Sequence, residues 1–141
     1  MGSSSRSLAR QLVLQALYAA ESGPLTPDDC LASLVEESEI NARHAEYAAQ
    51  LMAATLENAS ASSEAIGRLA VNWELNRIAI IDRLVMQLAM TELEKMPDIP
   101  VKVVLDEAIE LAKMFSTEQS SAFVNGILDK YVQNMAKEQS S

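Results

Sequence analysis

Few side chains in this sequence have the type and spacing that chemistry requires. Its 141 residues include one histidine, His44, and one cysteine, Cys30. His44 lies in a polar stretch without a catalytic partner, so we expect a surface histidine. Cys30 follows two aspartates, so we expect a small core or boundary residue rather than a nucleophile. No cluster of metal-ligand residues is visible, and we expect a binding protein that is not an enzyme and holds no cofactor.

Residues suited to binding are concentrated near the N-terminus. Arg6 and Arg10 are four residues apart, which places them on one face of a helix, and Tyr18 lies two turns beyond Arg10 on an adjoining face. Two guanidinium groups and an aromatic ring can contact the phosphates and stack on an unpaired base of single-stranded RNA. The alternative is that the arginines pair with acids elsewhere and that Tyr18 is half-buried in the core. Composition alone favours this alternative.

Net charge limits the kinds of partner. The formal charge of −9 argues against a general nucleic-acid binder, because phosphate neutralisation needs Lys and Arg. The first acid is nevertheless Glu21, and a locally positive helix on an acidic body can bind nucleic acid weakly and with help. Apolar runs fall short of the roughly 20 residues of a membrane span. A single cysteine excludes an internal disulfide, so we expect a cytoplasmic protein.

Composition and periodicity predict the elements that position these residues. Apolar residues make up 49% of the chain and aromatic residues only 4%, with four glycines and four prolines, which favours an all-α fold. Apolar side chains at helical spacing predict about seven helices. The predicted helices run from about Arg6 to Ser22, after Thr26-Pro27, from about Asn41 to Ala59, from about Ile66 to Trp73, from about Ile78 to Lys95, from about Val104 to Phe115, and from a capping sequence at 116–119 to about Val132.

Three local features carry expectations of their own. Ser60, Ser62 and Ser63 predict a break or kink after the third helix. Trp73 belongs to an apolar stripe and is expected in the core. Gly126 lies within the last helix, where glycine costs about 1 kcal/mol relative to alanine. We therefore expect another helix to approach closely at Gly126.

Five segments together carry a resemblance to a known family. They are Ala16–Tyr18, Glu92-Leu93, Ile99–Val101, Glu107–Lys113 and Phe123–Asp129. In this order, from about Arg6 to Val132, they resemble NusB, the family of bacterial transcription antitermination factors. The resemblance implies two small packed helical bundles, which we expect at about 1–70 and 74–135. We expect residues 1–5 and 136–141 to be disordered.

The resemblance also implies a function and a site. NusB proteins are RNA-binding adaptors that bind boxA single-stranded RNA with NusE, a ribosomal protein of the small subunit. They act in the antitermination complex of RNA polymerase, notably during ribosomal RNA transcription, and some of them form homodimers. The implied RNA-binding residues are Arg6, Arg10, Tyr18, Arg83, Gln119 and Phe123, and the implied partner-binding residues are Asp82, Glu92 and Glu118. We expect the RNA-binding groups to share one surface patch.

Two departures from the family affect this expectation. Many relatives have a denser arginine run where this chain has only Arg6 and Arg10, and Gln119 is neutral where some relatives have an acid. We expect weak RNA binding by the chain alone and dependence on the basic NusE partner. Two alternatives stay open: a helical protein-interaction module related to the N-terminal domain of ribosomal RNA cytosine methyltransferases, and an interaction bundle that has lost RNA contact.

Overall fold

The chain folds into helices that match the predicted class. The structure, a computed structural model, describes residues 5–71 and 78–138 and the backbone of 139–140. These residues form seven α-helices and no strand, which confirms the all-α prediction. The helices are α1 (Arg6–Ser22), α2 (Pro27–Glu37), α3 (Ala42–Glu57), α4 (Ala59–Leu69), α5 (Ile80–Lys95), α6 (Val101–Phe115) and α7 (Glu118–Ser140). None of them combines the length and apolarity that a bilayer crossing requires.

Side-chain caps fix several helix starts. The Ser5 side chain accepts a hydrogen bond from the Leu8 amide, and Thr26 Oγ1 accepts one from the Asp29 amide at 3.1 Å, with Pro27 in the first turn of α2. Thr117 Oγ1 accepts a hydrogen bond from the Ser120 amide at 3.0 Å, which places the start of α7 at Glu118. The N-termini of α1, α2 and α7 are therefore determined by local sequence.

The break between α3 and α4 lies at Asn58, before the serines. Ser62 is buried inside α4, and its hydroxyl donates a hydrogen bond to the Ala59 carbonyl at 3.2 Å. A serine hydroxyl that bonds to a carbonyl of the preceding turn is compatible with a helix. The prediction of a break at Ser60, Ser62 and Ser63 is therefore wrong.

The helices form two compact units, Met1–Glu57 and Asn58–Ser141. In the first unit α1 packs against α2 and α3, and its core includes Val13, Leu14, Leu51 and Met52. In the second unit α5 packs against α4, α6 and α7, and every residue from Leu84 to Leu93 is buried. Ten consecutive buried residues cover every face of a helix, so α5 is the centre of the second unit.

The unit boundary and the C-terminus differ from the sequence expectation. The first unit ends at Glu57 and not near residue 70, because α4 buries Ala65 and Ile66 and packs against α5 and α7. The last helix continues to Ser140, so residues 136–140 are helical where the sequence predicted disorder. Trp73 and residues 1–4, for which the sequence predicted a core position and disorder, lie outside the described residues.

Candidate nucleic-acid interface

Arg6 is exposed and is held in place by an aromatic ring. Its guanidinium carbon lies 4.5 Å from the centroid of the Tyr47 ring on α3, which is a cation–π distance. Tyr47 is buried, so the ring is a fixed support. An exposed guanidinium held over a ring still offers N–H donors that a phosphate oxygen can reach. Tyr47 is a contributor that the sequence did not reveal, because 41 positions separate it from Arg6.

Arg10 does not share the exposure of Arg6. Only 3% of its surface is accessible, and its side chain is engaged within the protein. The sequence predicted both arginines on one RNA-contacting face, and the structure does not support this for Arg10. A phosphate cannot reach a guanidinium this buried without a rearrangement of the fold. The burial of Arg10 therefore favours the alternative in which this arginine interacts within the protein.

Tyr18 lies on α1 with 44% of its surface exposed. Twelve residues separate it from Arg6, which corresponds to about 18 Å along the helix axis. Its ring is accessible enough to stack on a base. Of the three RNA-binding residues predicted in the first unit, Arg6 and Tyr18 are therefore accessible, and both lie on α1.

Three predicted residues of the second unit meet around one pocket. Asp82, Gln119 and Phe123 line a cavity of about 320 Å³ at the start of α5 and α7, together with Ile78, Ala79, Thr117 and Ser120. Asp82 is only 5% exposed, and its Oδ1 atom has no hydrogen-bond partner among the described residues. A buried carboxylate oxygen without a donor costs free energy. The pocket therefore favours a ligand that brings an N–H or O–H donor.

Arg83, next to this pocket in sequence, is oriented by a relay of hydrogen bonds. Its Nη1 donates to Gln87 Oε1 at 3.2 Å, and Gln87 Nε2 donates to Ser63 Oγ on α4 at 2.7 Å. Gln87 is buried and satisfies both ends of its amide in this way. Gln87 is not among the residues predicted from the sequence, although its spacing of four residues from Arg83 is the signal that could have identified it.

The two predicted acidic partner contacts, Glu92 and Glu118, have opposite environments. Glu118 is exposed in the first turn of α7, where a carboxylate suits the positive end of the helix dipole. Glu92 is 2% exposed and engaged within the protein. A side chain this buried belongs to the interior of the second unit, so the prediction of Glu92 as a partner contact is not supported.

Gly126 lines a groove instead of a tight helix crossing. A Cβ atom built on Gly126 meets no described atom within 4 Å, so the prediction of close helix packing is wrong. The groove has a volume of about 240 Å³ and lies between the end of α4 and α7. Its lining residues are Leu69, Ala70, Val71, Ala122, Phe123, Gly126, Ile127 and Lys130. Phe123 borders both this groove and the pocket of Asp82.

The residues first considered for catalysis lie in ordinary environments. Cys30 is buried, which confirms a core position. His44 is partly exposed, and its Nδ1 atom has no hydrogen-bond partner in the described part of the chain. Within residues 5–71 and 78–138 no three His, Cys, Asp or Glu side chains are grouped as a metal site would require. The candidate site therefore consists of exposed cationic, aromatic and amide groups on an all-helical protein.

Comparison with known proteins identifies the family. Residues 7–133 match the NusB family, and the chain belongs to that family. A relative named transcription antitermination protein NusB, from Sorangium cellulosum, is 38% identical over 132 residues and 94% of each chain. The protein of that name from Anaeromyxobacter dehalogenans is 42% identical over 128 residues, with 90% of this chain and 89% of the relative covered.

Solved structures have the same fold. A structure of T. maritima NusB is 36% identical and superposes with a TM-score of 0.81 over 89% of each chain. A structure of the antitermination factors NusB and NusE in complex with dsRNA is 24% identical, with a TM-score of 0.77 over 89% of this chain and 93% of that chain. At this lower identity the likeness establishes the fold alone.

Proposed function

We propose that this protein is a non-enzymatic RNA-binding adaptor of transcription antitermination. It binds boxA single-stranded RNA together with ribosomal protein NusE, acts in the RNA polymerase antitermination complex and supports ribosomal RNA transcription in the cytoplasm. The observation that carries the proposal is membership of the NusB family over residues 7–133. The relatives from S. cellulosum and A. dehalogenans, which are named antitermination proteins, match this chain over about nine-tenths of their own length.

The exposed groups of the site suit single-stranded RNA. Arg6 offers N–H donors to a phosphate, Tyr18 and Phe123 offer ring faces to bases, and the Gln119 amide can pair with a base edge. Stacking on an aromatic side chain contributes about 1–3 kcal/mol per base. We include Arg83 in the RNA-binding set and leave out Arg10, because Arg10 is buried.

The acidic residues suit a basic protein partner. Asp82 Oδ1 has no hydrogen-bond donor among the described residues. Glu118, which precedes the pocket residue Gln119 in α7, is exposed. The whole chain has a formal charge of −9. Opposite charge speeds association and favours the correct partner. NusE is named with NusB in the solved complex with dsRNA, and we propose it as the partner here. The buried Arg10 also favours a second candidate, a protein-interaction bundle without RNA selectivity.

One titration separates these functions. A boxA RNA oligonucleotide and a scrambled control are titrated with the chain alone and with the chain plus NusE, at several salt concentrations. We expect selective binding of boxA that NusE strengthens. Binding of NusE with equal affinity for both RNAs would support the second candidate, and binding of neither NusE nor RNA would refute both.

Asp82→Asn tests the partner surface within the same assay. The amide keeps the size of the side chain and removes its charge, so we expect weaker NusE binding with an unchanged helix content. Glu36→Gln, which removes one exposed charge from α2, is a matched control that should leave NusE affinity unchanged. Equal NusE affinity of Asp82→Asn and the wild type would exclude Asp82 from the partner surface.

A further inference from the structure

The exposed side chain of Arg6 is held by a ring and not by an acid. Its guanidinium carbon lies 4.5 Å from the centroid of the Tyr47 ring. Among residues 5–71 and 78–138 no carboxylate forms an ion pair with Arg6, and the first turn of α1 contains no acidic residue. Arg6 therefore keeps its full charge, although the chain has 20 acidic and 11 basic residues.

Other cations of the protein are held differently. Arg68 and Lys102 each form an ion pair at 2.9 Å with an acid four residues away. An ion pair orders a cation and also cancels its charge, whereas an aromatic ring attracts a cation through its quadrupole and has no net charge. The Tyr47 ring therefore orders the Arg6 guanidinium and leaves its charge available to an anion.

Helix stability does not account for a cation at this position. Ser5 caps α1, so Arg6 lies in the first turn, where the positive end of the helix dipole favours an acid and disfavours a cation. The contact with Tyr47 offsets this cost. A cation that is exposed, unpaired and at an unfavourable helix position is better explained by contact with an anion outside the protein.

The Tyr47 ring is a rigid support for the Arg6 side chain. Tyr47 is 8% exposed, its neighbours Ala48 and Leu51 on α3 are fully buried, and α1 packs against α3. A free arginine side chain samples many rotamers and loses them when its guanidinium binds a phosphate. A ring that the core holds in place restricts these rotamers before binding, so a smaller entropic cost remains when RNA binds.

We propose that Tyr47 is a positioning residue for RNA: it holds the Arg6 guanidinium at the surface without cancelling its charge, so that the group is arranged for a backbone phosphate before RNA binds. This inference rests on the proposed RNA-binding function, and Tyr47 itself does not contact RNA. The alternative is a purely structural contact between α1 and α3. Such a contact would affect the stability of the fold but not the RNA affinity of the folded protein.

Two substitutions of Tyr47 separate the ring from the rest of the side chain. The full chain with NusE binds a boxA RNA oligonucleotide, and affinity is measured as a function of salt concentration. We expect Tyr47→Leu to weaken RNA binding by about 2-fold to 5-fold, which corresponds to the 0.5–1 kcal/mol of a cation–π contact at an exposed site. Tyr47→Phe keeps the ring and should keep the wild-type affinity.

The salt dependence distinguishes a mispositioned cation from a missing one. Arg6→Gln removes a phosphate contact, so the slope of log K against log salt should fall by about 0.7 for a single strand. Tyr47→Leu leaves the charge of Arg6 in place, so the affinity should be lower at every salt concentration while the slope stays at the wild-type value. A slope reduced equally in both variants would contradict a role in positioning alone and would overturn the inference.

A double-mutant cycle shows whether Tyr47 acts through Arg6. In an Arg6→Gln background the ring has no guanidinium to hold, so Tyr47→Leu should cause no further loss of RNA affinity. The same 2-fold to 5-fold loss with and without Arg6 would mean that Tyr47 acts independently, which overturns the inference. Met52→Ala removes another buried side chain from α3 and is the control for lost stability. It should lower the urea midpoint and leave the RNA affinity unchanged.

The two levels of proposal fail in different ways. If the wild type with NusE selects boxA and Tyr47→Leu binds it with the wild-type affinity, the role of Tyr47 is excluded while the proposed function stands. Tighter binding by Tyr47→Leu would mean that the ring withholds Arg6 from RNA, which also overturns the inference. If the wild type with NusE shows no selectivity for boxA, the proposed function fails and the role of Tyr47 fails with it.

Discussion

Replacing Gly126 with alanine should stabilise the second unit. Alanine is more favourable than glycine in a helix interior by about 0.8–1.0 kcal/mol, because glycine loses more backbone entropy on folding. No glycine among the described residues has a positive φ, and a Cβ at Gly126 meets no described atom within 4 Å, so neither strain nor a clash offsets this gain. We expect the free energy of unfolding to rise by about 0.5–1 kcal/mol and Tm by a few degrees.

Urea unfolding followed by far-UV circular dichroism measures this change. Gly67→Ala is a matched control, because Gly67 lies in α4 and also has no described atom within 4 Å of its built Cβ. Gly23→Ala should show no such gain, since its Cβ would lie 3.1 Å from the Ala19 carbonyl oxygen. If Gly126→Ala is less stable than the wild type while Gly67→Ala is more stable, the space beside Gly126 is not open. Another helix would then pack closely against Gly126, as the sequence predicted.

Three further substitutions test other parts of the structure. Arg10→Ala should lower the free energy of unfolding by about 2–3 kcal/mol, because it removes a buried, engaged guanidinium; an unchanged urea midpoint would contradict an internal role. Tyr18→Ala should weaken boxA binding by about 1–3 kcal/mol in a fluorescence titration while Tyr18→Phe keeps the ring and the affinity; equal affinities of all three proteins would exclude stacking. Burial, with smaller contributions from the charge of Glu94 and a hydrogen bond to it, raises the pKa of Tyr131 from 10.0 to about 12. Between these two pH values the unfolded chain releases the phenol proton and the folded chain keeps it, so the free energy of unfolding falls as pH rises. In Tyr131→Phe, urea unfolding should show a smaller decrease over this pH range.

The sequence alone predicts the helix ends that nearby residues determine. Thr26 and Pro27 begin α2 through a side-chain cap and a fixed φ, and the prolines at 97 and 100 separate α5 from α6. The class of fold followed from helical spacing of apolar residues. The serines after α3 misled the prediction, because a serine can satisfy its hydroxyl inside a helix and packing then decides. The unit boundary at Glu57 depends on the contacts of α4 with α5 and α7, which are far apart in sequence.

The sequence supplied residue types for a candidate site but not the exposure of their side chains. The four-residue spacing placed Arg6 and Arg10 on one face of α1. In the structure Arg6 lies over the Tyr47 ring at the surface, whereas Arg10 is buried. Burial depends on which helix covers a given turn, and local periodicity does not encode it. The pocket of Asp82 likewise joins residues separated by 37 positions, Asp82 and Gln119. The resemblance to NusB located these residues, whereas physical reasoning from the sequence did not.

The charge balance favours the proposal that this protein binds RNA together with a partner. With Arg10 buried, the cations assigned to RNA are Arg6, which is exposed, and Arg83, which is partly exposed, and the formal net charge of the chain is −9. At physiological salt, charges more than about 8 Å apart are largely screened, so RNA senses local patches more than net charge. Few phosphate contacts mean that stacking on Tyr18 and Phe123 must supply most of the affinity, and stacking discriminates poorly between bases. A basic partner docked on the acidic residues would add phosphate contacts and fix the RNA register. Selectivity for boxA RNA would then arise in the complex with the partner, and neither protein would need to be selective alone.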